Sequence, residues 1–221
     1  MLTTAIGVLL GALLCFLASV FIEYKRKPKL RLEIEDPPSD KTFESLPAKN
    51  ARFVRVQLCN DPMPLPLRWL GRNAAMHCFG HIQFHHFEDG APLFSKPMPM
   101  RWAGSDEPLN PTMSNGQLTW SFDAAKYNAA FYRNCFPDTR EAIDVAARFD
   151  SDEDCYGWSN DSYLKGCRNS DWKLLKGRYL VTVTVQSAGE TVSSVFKLEN
   201  STERTHFRLM PASKEDRRRL T

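Results

Sequence analysis

Residues 2 to 22 carry no charged side chain, and that run constrains this chain more than any other feature. At about 1.5 Å per residue a helix of this length spans roughly 30 Å, the thickness of a bilayer's hydrocarbon core. A cleavable signal peptide would carry a positive segment before a shorter apolar run and a small-residue cleavage site after it. Here no Lys or Arg precedes the run, and Glu23, Tyr24, Lys25, Arg26 and Lys27 follow it. The sequence therefore predicts a retained single-pass anchor over residues 1–23. Basic residues beside a span stay on the cytoplasmic side. Lys25, Arg26, Lys27, Lys29 and Arg31 all lie after the run, which predicts a cytoplasmic domain. Within the run Gly7, Gly11, Cys15 and Ser19 recur every four residues. They form a small-residue face where another helix could pack and form a homodimer, although glycine is also simply common in membrane helices.

The remaining residues suffice for one sizeable core. Net charge is +3, and much of it sits in the juxtamembrane cluster and in Arg217, Arg218 and Arg219. No basic face of the size that binds nucleic acid is implied. Five cysteines, Cys59, Cys78, Cys135, Cys155 and Cys167, follow the anchor without framework spacing, as expected of free thiols in a reducing compartment. Two disulfides and one free thiol would give the same count.

Alternation of apolar and polar residues marks the strands. Leu30 to Glu35 reads as a short first strand, grouped with the juxtamembrane stalk over 24–50. Val54, Val56 and Leu58 alternate with Arg55 and Gln57. In the stretch from Ala75 to Phe87, Cys78, Gly80, Ile82 and Phe84 share one face and His77, His81, Gln83 and His85 the other. The segment Met98–Trp102 is expected to pair with it as a hairpin. Residues 103–140 read as a loop-rich insertion, with a helix in Phe122 to Arg133. Ile143, Val145, Ala147 and Phe149 are expected on one side of a further strand. The densest β signal is Gly177 to Gln186, with a turn at Ser187–Glu190 and a return over Thr191–Leu198. His206 to Leu209 suggests an edge strand, and 211–221 a basic tail. Seven to nine strands with turns between them predict a mainly β, antiparallel sandwich over 51–210.

The run Gly177, Tyr179, Val181, Val183 with its following hairpin resembles the last strands of immunoglobulin-like sandwiches. That resemblance implies a tyrosine corner at Tyr179. The chain departs from antibody-type domains in having Val181 where a cysteine would sit, and it is some 80 residues longer. More loosely, Arg72 to Phe84 and Met100 to Trp102 resemble segments of uncharacterised prokaryotic membrane-anchored proteins, which implies no function.

Candidate chemistry is sparse. His77, Cys78, His81, His85 and His86 are metal-ligand types, but on a strand His77 and His81 stand about 13 Å apart and Cys78 points the other way. A polar outer sheet face is the expectation, with no metal or other cofactor. Asp150, Asp152, Glu153 and Asp154 could offer oxygens to calcium, or acids to a glycosidase. They lack the glycine and distal glutamate of an EF-hand loop and read as a solvated turn. No nucleophile elbow, phosphate loop or dinucleotide glycine pattern is present. Asn160 and Asn200 begin glycosylation acceptor triplets, irrelevant in a cytoplasmic domain.

Four rings, Tyr156, Trp158, Tyr163 and Trp172, fall in a polar stretch. They read either as partner-binding anchors or as a cap over the open end of the sandwich. The sequence thus points to a non-enzymatic interaction module facing the cytoplasm, with the lipid bilayer and an unidentified protein as partners. The alternatives are an extracytoplasmic ligand-binding domain and a divergent enzyme using the loop over 150–172.

Overall fold

A computed structural model describes residues 2–42, 50–114 and 117–220, without the side chains of residues 2–5, 8, 111–114 and 117–118. The stalk is thus described apart from 43–49, and the insertion apart from 115–116. Helix α1 (Leu2–Arg26) leads into β1 (Leu30–Ile34), β2 (Ser39–Thr42) and β3 (Asn50–Asn60). A 3-10 turn over Leu65–Leu70 precedes β4 (Ala75–His86), β5 (Met98–Pro99) and β6 (Arg101–Trp102). The insertion holds β7 (Leu109–Ser114), β8 (Gln117–Phe122), α2 (Ala124–Ala129) and β9 (Arg133–Cys135). Then come β10 (Arg140–Phe149), β11 (Cys155–Gly157), α3 (Asp161–Leu164) and β12 (Lys173–Leu174). The chain ends with β13 (Gly177–Ser187), β14 (Glu190–Asn200), β15 (Arg208–Pro211) and α4 (Lys214–Arg218).

Two antiparallel sheets form the body. One runs β1-β3-β10-β11-β12, with β2 also on β3 and β6 on β10. The other runs β15-β14-β13-β4-β5, with β9 also on β4. Because alternate side chains of a strand point to opposite faces, each sheet turns one apolar row inward. Val54, Val56, Leu58 and Ile143 of the first sheet share a core with Ile82, Phe84, Val181, Val183, Val185, Phe196 and Leu198 of the second. The β-rich, antiparallel sandwich expected from alternation is therefore present. The β13–β14 hairpin is its most regular part, paired without a slip from Gly177↔Asn200 to Ser187↔Glu190. At the entry to β13 the Tyr179 hydroxyl donates to the Leu175 carbonyl at 2.9 Å.

Three expectations change. The segment after Ser95 does not stay with β4: Met98 pairs with Ile82, but Trp102 crosses to Ile143 of the other sheet. Met98, Met100 and Trp102 are all fully buried, so this crossing fills the space between the sheets. Gly80 makes room for it, since a Cβ there would lie 2.0 Å from the Thr184 carbonyl oxygen and 2.9 Å from the Met100 sulfur. Strand β10 does not keep one face. Its register on β3 shifts between Asp144 and Ala146, a bulge that leaves Ile143 in the shared core and sends Ala147 and Phe149 to a second cluster. The insertion is not merely loop, because β7 and β8 pair antiparallel within it.

The basic tail is also built in. Ser213 and Asp216 form a capping box at the start of α4. Past its end, Arg219 donates to the Phe87 carbonyl at 2.7 Å and lies over the Phe87 ring. Among the described residues no helix is long and apolar enough to cross a membrane. The described side chains of α1 run unbroken only from Leu9 to Arg26, and this stretch ends with Glu23, Lys25 and Arg26.

Phe196 is 6% exposed and sits where β14 faces β13. Its replacement by Ala is expected to cost about 3 to 5 kcal/mol, because the vacated volume cannot fully collapse. Denaturant unfolding of the two proteins, followed by circular dichroism, measures the difference.

Candidate functional site

The aromatic stretch singled out in the sequence is interior. Trp158 is fully buried, Tyr163 is 4% and Tyr156 8% exposed. With Phe53, Phe149, Ala51 and Ala147 they form a separate apolar cluster on the outer face of the first sheet. Burial takes these three rings off the surface and makes them the satellite core that the capping alternative expects, set on the outer face of the first sheet instead of over the sandwich end. The bulge in β10 turns Ala147 and Phe149 outward, and rings must then cover them. Trp158 packs edge-on against Phe53 at 4.9 Å and Tyr163 at 5.4 Å. Trp172 stands apart, half-buried against Phe94 at 5.1 Å and the inter-sheet core.

Buried cations staple this layer. Arg101 lies over the Tyr163 ring and donates to Asn160 and to the Ser105 and Asp106 carbonyls. Arg148 reaches Asn200 and the Ser201, Thr202 and Asp152 carbonyls. The acidic run is distributed among cations, with Asp150 on Arg204, Asp152 on Arg168 and Asp154 on Lys173. These carboxylates hold loops in place and do not converge.

Among the described residues no three His, Cys, Asp or Glu side chains gather as a metal site. His77 sits at the irregular start of β4 with φ +51°, which takes it out of the row containing His81 and His85. His85 Nδ1 lies 3.0 Å from the Gly90 carbonyl and its Nε2 3.3 Å from the Thr182 hydroxyl. A neutral ring satisfies both contacts, donating from Nδ1 and accepting at Nε2. All six cysteines are free thiols. Burial raises the pKa of Cys135 to about 11 and of Cys167 to about 12, so neither is a thiolate nucleophile at neutral pH.

The most distinctive surface lies where α1 meets the sandwich. Asn60, 1% exposed, knots this junction: its amide donates to the Asn73 and Cys135 carbonyls, and its side-chain oxygen accepts from the Lys29 N–H. Arg72 donates to the Lys27 carbonyl, and the Asn73 N–H to the Arg26 carbonyl at 2.7 Å. The loop after β3 is thereby bound to the last residues of the helix. Around it stand six of the ten large apolar side chains exposed outside α1 among the described residues: Leu65, Trp69, Met76, Phe79, Tyr132 and Phe136. A crevice of about 600 Å³ opens between the helix and this end, walled by Phe16, Val20, Tyr24, Lys27 and Met76.

This surface was not singled out from the sequence. Its signal was present in the proline-spaced stretch after Asp61, which cannot form a central strand yet carries Leu65, Leu67, Trp69 and Leu70. Of the small residues expected to pack a second helix against α1, Cys15 and Ser19 are exposed, and a Cβ added at Gly7 or Gly11 meets nothing within 4 Å. That face is open in the single chain. No protein-family model, curated protein or solved structure matches this chain.

Two measurements check this geometry. Asn60→Ala leaves buried carbonyls and an N–H without their partner and is expected to cost on the order of 1 to 3 kcal/mol, read by thermal unfolding. Burial lowers the pKa of His85 below its ordinary 6.5. A lowered folded-state pKa stabilises the fold above the unfolded value and loses that contribution as pH falls through the folded one. Thermal stability should therefore drop between pH 7.5 and acidic pH, and drop less in His85→Gln.

Proposed function

We propose that this protein is a membrane-anchored, non-enzymatic interaction module that displays an immunoglobulin-like domain at the cytoplasmic face. The observation that carries the reading is the surface of α1: every described residue from Leu9 to Phe21 is exposed, and none of these is charged. At 100° per residue the bulky side chains Leu9, Leu10, Leu13, Leu14, Phe16, Leu17, Val20 and Phe21 occupy one half of the circumference. Gly7, Gly11, Ala12, Cys15, Ala18 and Ser19 occupy the other. A water-facing helix keeps a polar side, and this one has none. Residues 2–8, also uncharged, supply the length that the described side chains lack, and lipid is the solvent in which such a surface is stable.

Orientation rests on the five basic residues just past the run and on the free thiols of a domain suited to a reducing compartment. The immunoglobulin-like reading is supported by strand order. Opposed rows β1-β3-β10-β6 and β14-β13-β4-β5 arise when successive strands alternate between two sheets in this way. It is supported also by the Tyr179 hydroxyl, which returns to the backbone four residues upstream as a tyrosine corner does. An interaction role follows from side chains that staple loops and from thiols kept protonated. The end of the sandwich remote from α1, where α4 meets the turn after β4, is the part turned toward a protein partner.

In cells, the full chain should stay in the membrane pellet through alkaline extraction. Protease added outside intact cells should leave the domain whole and digest it only after lysis. Release by alkali would refute the anchor, and digestion in intact cells would refute the orientation.

A further inference from the structure

We propose that the α1-proximal end of the sandwich is itself a lipid-binding surface, with Leu65 and Trp69 seated in the headgroup layer of the bilayer that holds α1. This inference rests on the anchor reading and adds a second point of contact to it. Leu65 is 82% and Trp69 79% exposed, the two most exposed large apolar side chains described in the chain. They sit on a rigid 3-10 turn that starts after Pro64 and whose last turn closes with Gly71 N–H on the Arg68 carbonyl at 3.2 Å. Immediately after it, Arg72 and Asn73 bond to the carbonyls of Lys27 and Arg26. The turn is therefore held at the level where α1 leaves its apolar run and acquires charge.

Lipid is the occupant favoured on three grounds. Tyr24, 64% exposed, sits on α1 at the same level, with the Lys27 ammonium 5.5 Å from its ring, while Lys25 lies 5.3 Å from the Phe21 ring. Trp and Tyr concentrate at membrane interfaces because one end of each is apolar and the other polar, and lysines beside them keep their charge in the headgroups. Arg68 is exposed on the turn itself, and Arg26, Lys29 and Arg72 belong to the junction that ties the turn to α1, a charge that complements anionic headgroups. Finally, the patch continues into the apolar crevice along α1, so lipid against the helix already reaches Met76.

The test uses the full chain and Trp69→Phe, each reconstituted in vesicles of phosphatidylcholine and phosphatidylglycerol, with and without bromine near the headgroup end of the acyl chains. Trp102 and Trp158 are buried, Trp172 is half-buried and Trp120 is 40% exposed, so that Trp69, at 79%, is the most accessible of the five indoles. Both proteins should float with the vesicles after alkaline treatment. Bromolipid should quench the wild-type fluorescence, and Trp69→Phe should lose half or more of that quenching. Flotation with equal quenching in both proteins would overturn the lipid contact while leaving the anchor intact. Failure to float would overturn the anchor and the contact together. Trp69 fluorescence shifted to the blue equally in detergent and in vesicles, with no bromine effect, would assign the patch to a protein neighbour and also overturn the proposal.

Discussion

The apolar rows of β3 and β13 meet across the interior of this protein, and most of the fold is arranged by what those rows require. Val54, Val56 and Leu58 on one side and Val181, Val183 and Val185 on the other are essentially inaccessible to water. A two-stranded hairpin cannot bury such a row alone, so each must find a sheet to face. The neighbours β10 and β4 extend the two rows, and β5 and β6 carry Met98, Met100 and Trp102 into the gap between them. Removal of Gly80 or Gly157 would intrude on this filling: a Cβ at Gly157 would stand 2.9 Å from the Met98 sulfur and 3.1 Å from the Phe84 ring.

The second apolar layer depends on a single irregularity. Sheets of this kind usually show water one polar face, and here the face of the first sheet outside the sandwich is apolar at Ala51, Phe53, Ala147 and Phe149. The bulge at Val145 changes which side the end of β10 presents. The loop bearing Trp158 and Tyr163 is long and aromatic because it has that patch to cover. Arg101 and Arg148, both buried, then act as polar rivets: Arg101 donates to the Ser105 and Asp106 carbonyls, and Arg148 to those of Asp152, Ser201 and Thr202.

Strand alternation made β1, β3, β4, β13 and β14 legible, because a period of two over many residues is a strong signal when one face is buried. Val181, Val183, Val185, Phe196 and Leu198 of the last hairpin all lie in the core. Where the reading failed, tertiary context had overridden local pattern. The bulge in β10 is invisible to periodicity, since Ile143, Val145, Ala147 and Phe149 alternate perfectly in sequence and diverge only in register. Sheet switching at Arg101 depends on a void that β4 and β13 create together. Of the surface at the α1 end, the sequence showed only that Leu65 and Trp69 lie in a proline-rich connection. That this connection is tied to Arg26 and Lys27 depends on Asn60, a residue with no motif around it.

Only Lys27, Pro28 and Lys29 separate the end of α1 from β1, a connection of roughly 10 Å even when stretched. With Asn60 on Lys29, Arg72 on Lys27 and Asn73 on Arg26, the domain has no leash. It cannot sweep a volume about α1 as a module on a flexible linker does, and its reach from the helix is set by its own dimensions. The rotation of α1 about its axis also fixes the direction in which the sandwich faces. If two chains met along the face of Gly7, Gly11, Cys15 and Ser19, the relative bearing of their domains would be set by helix packing alone.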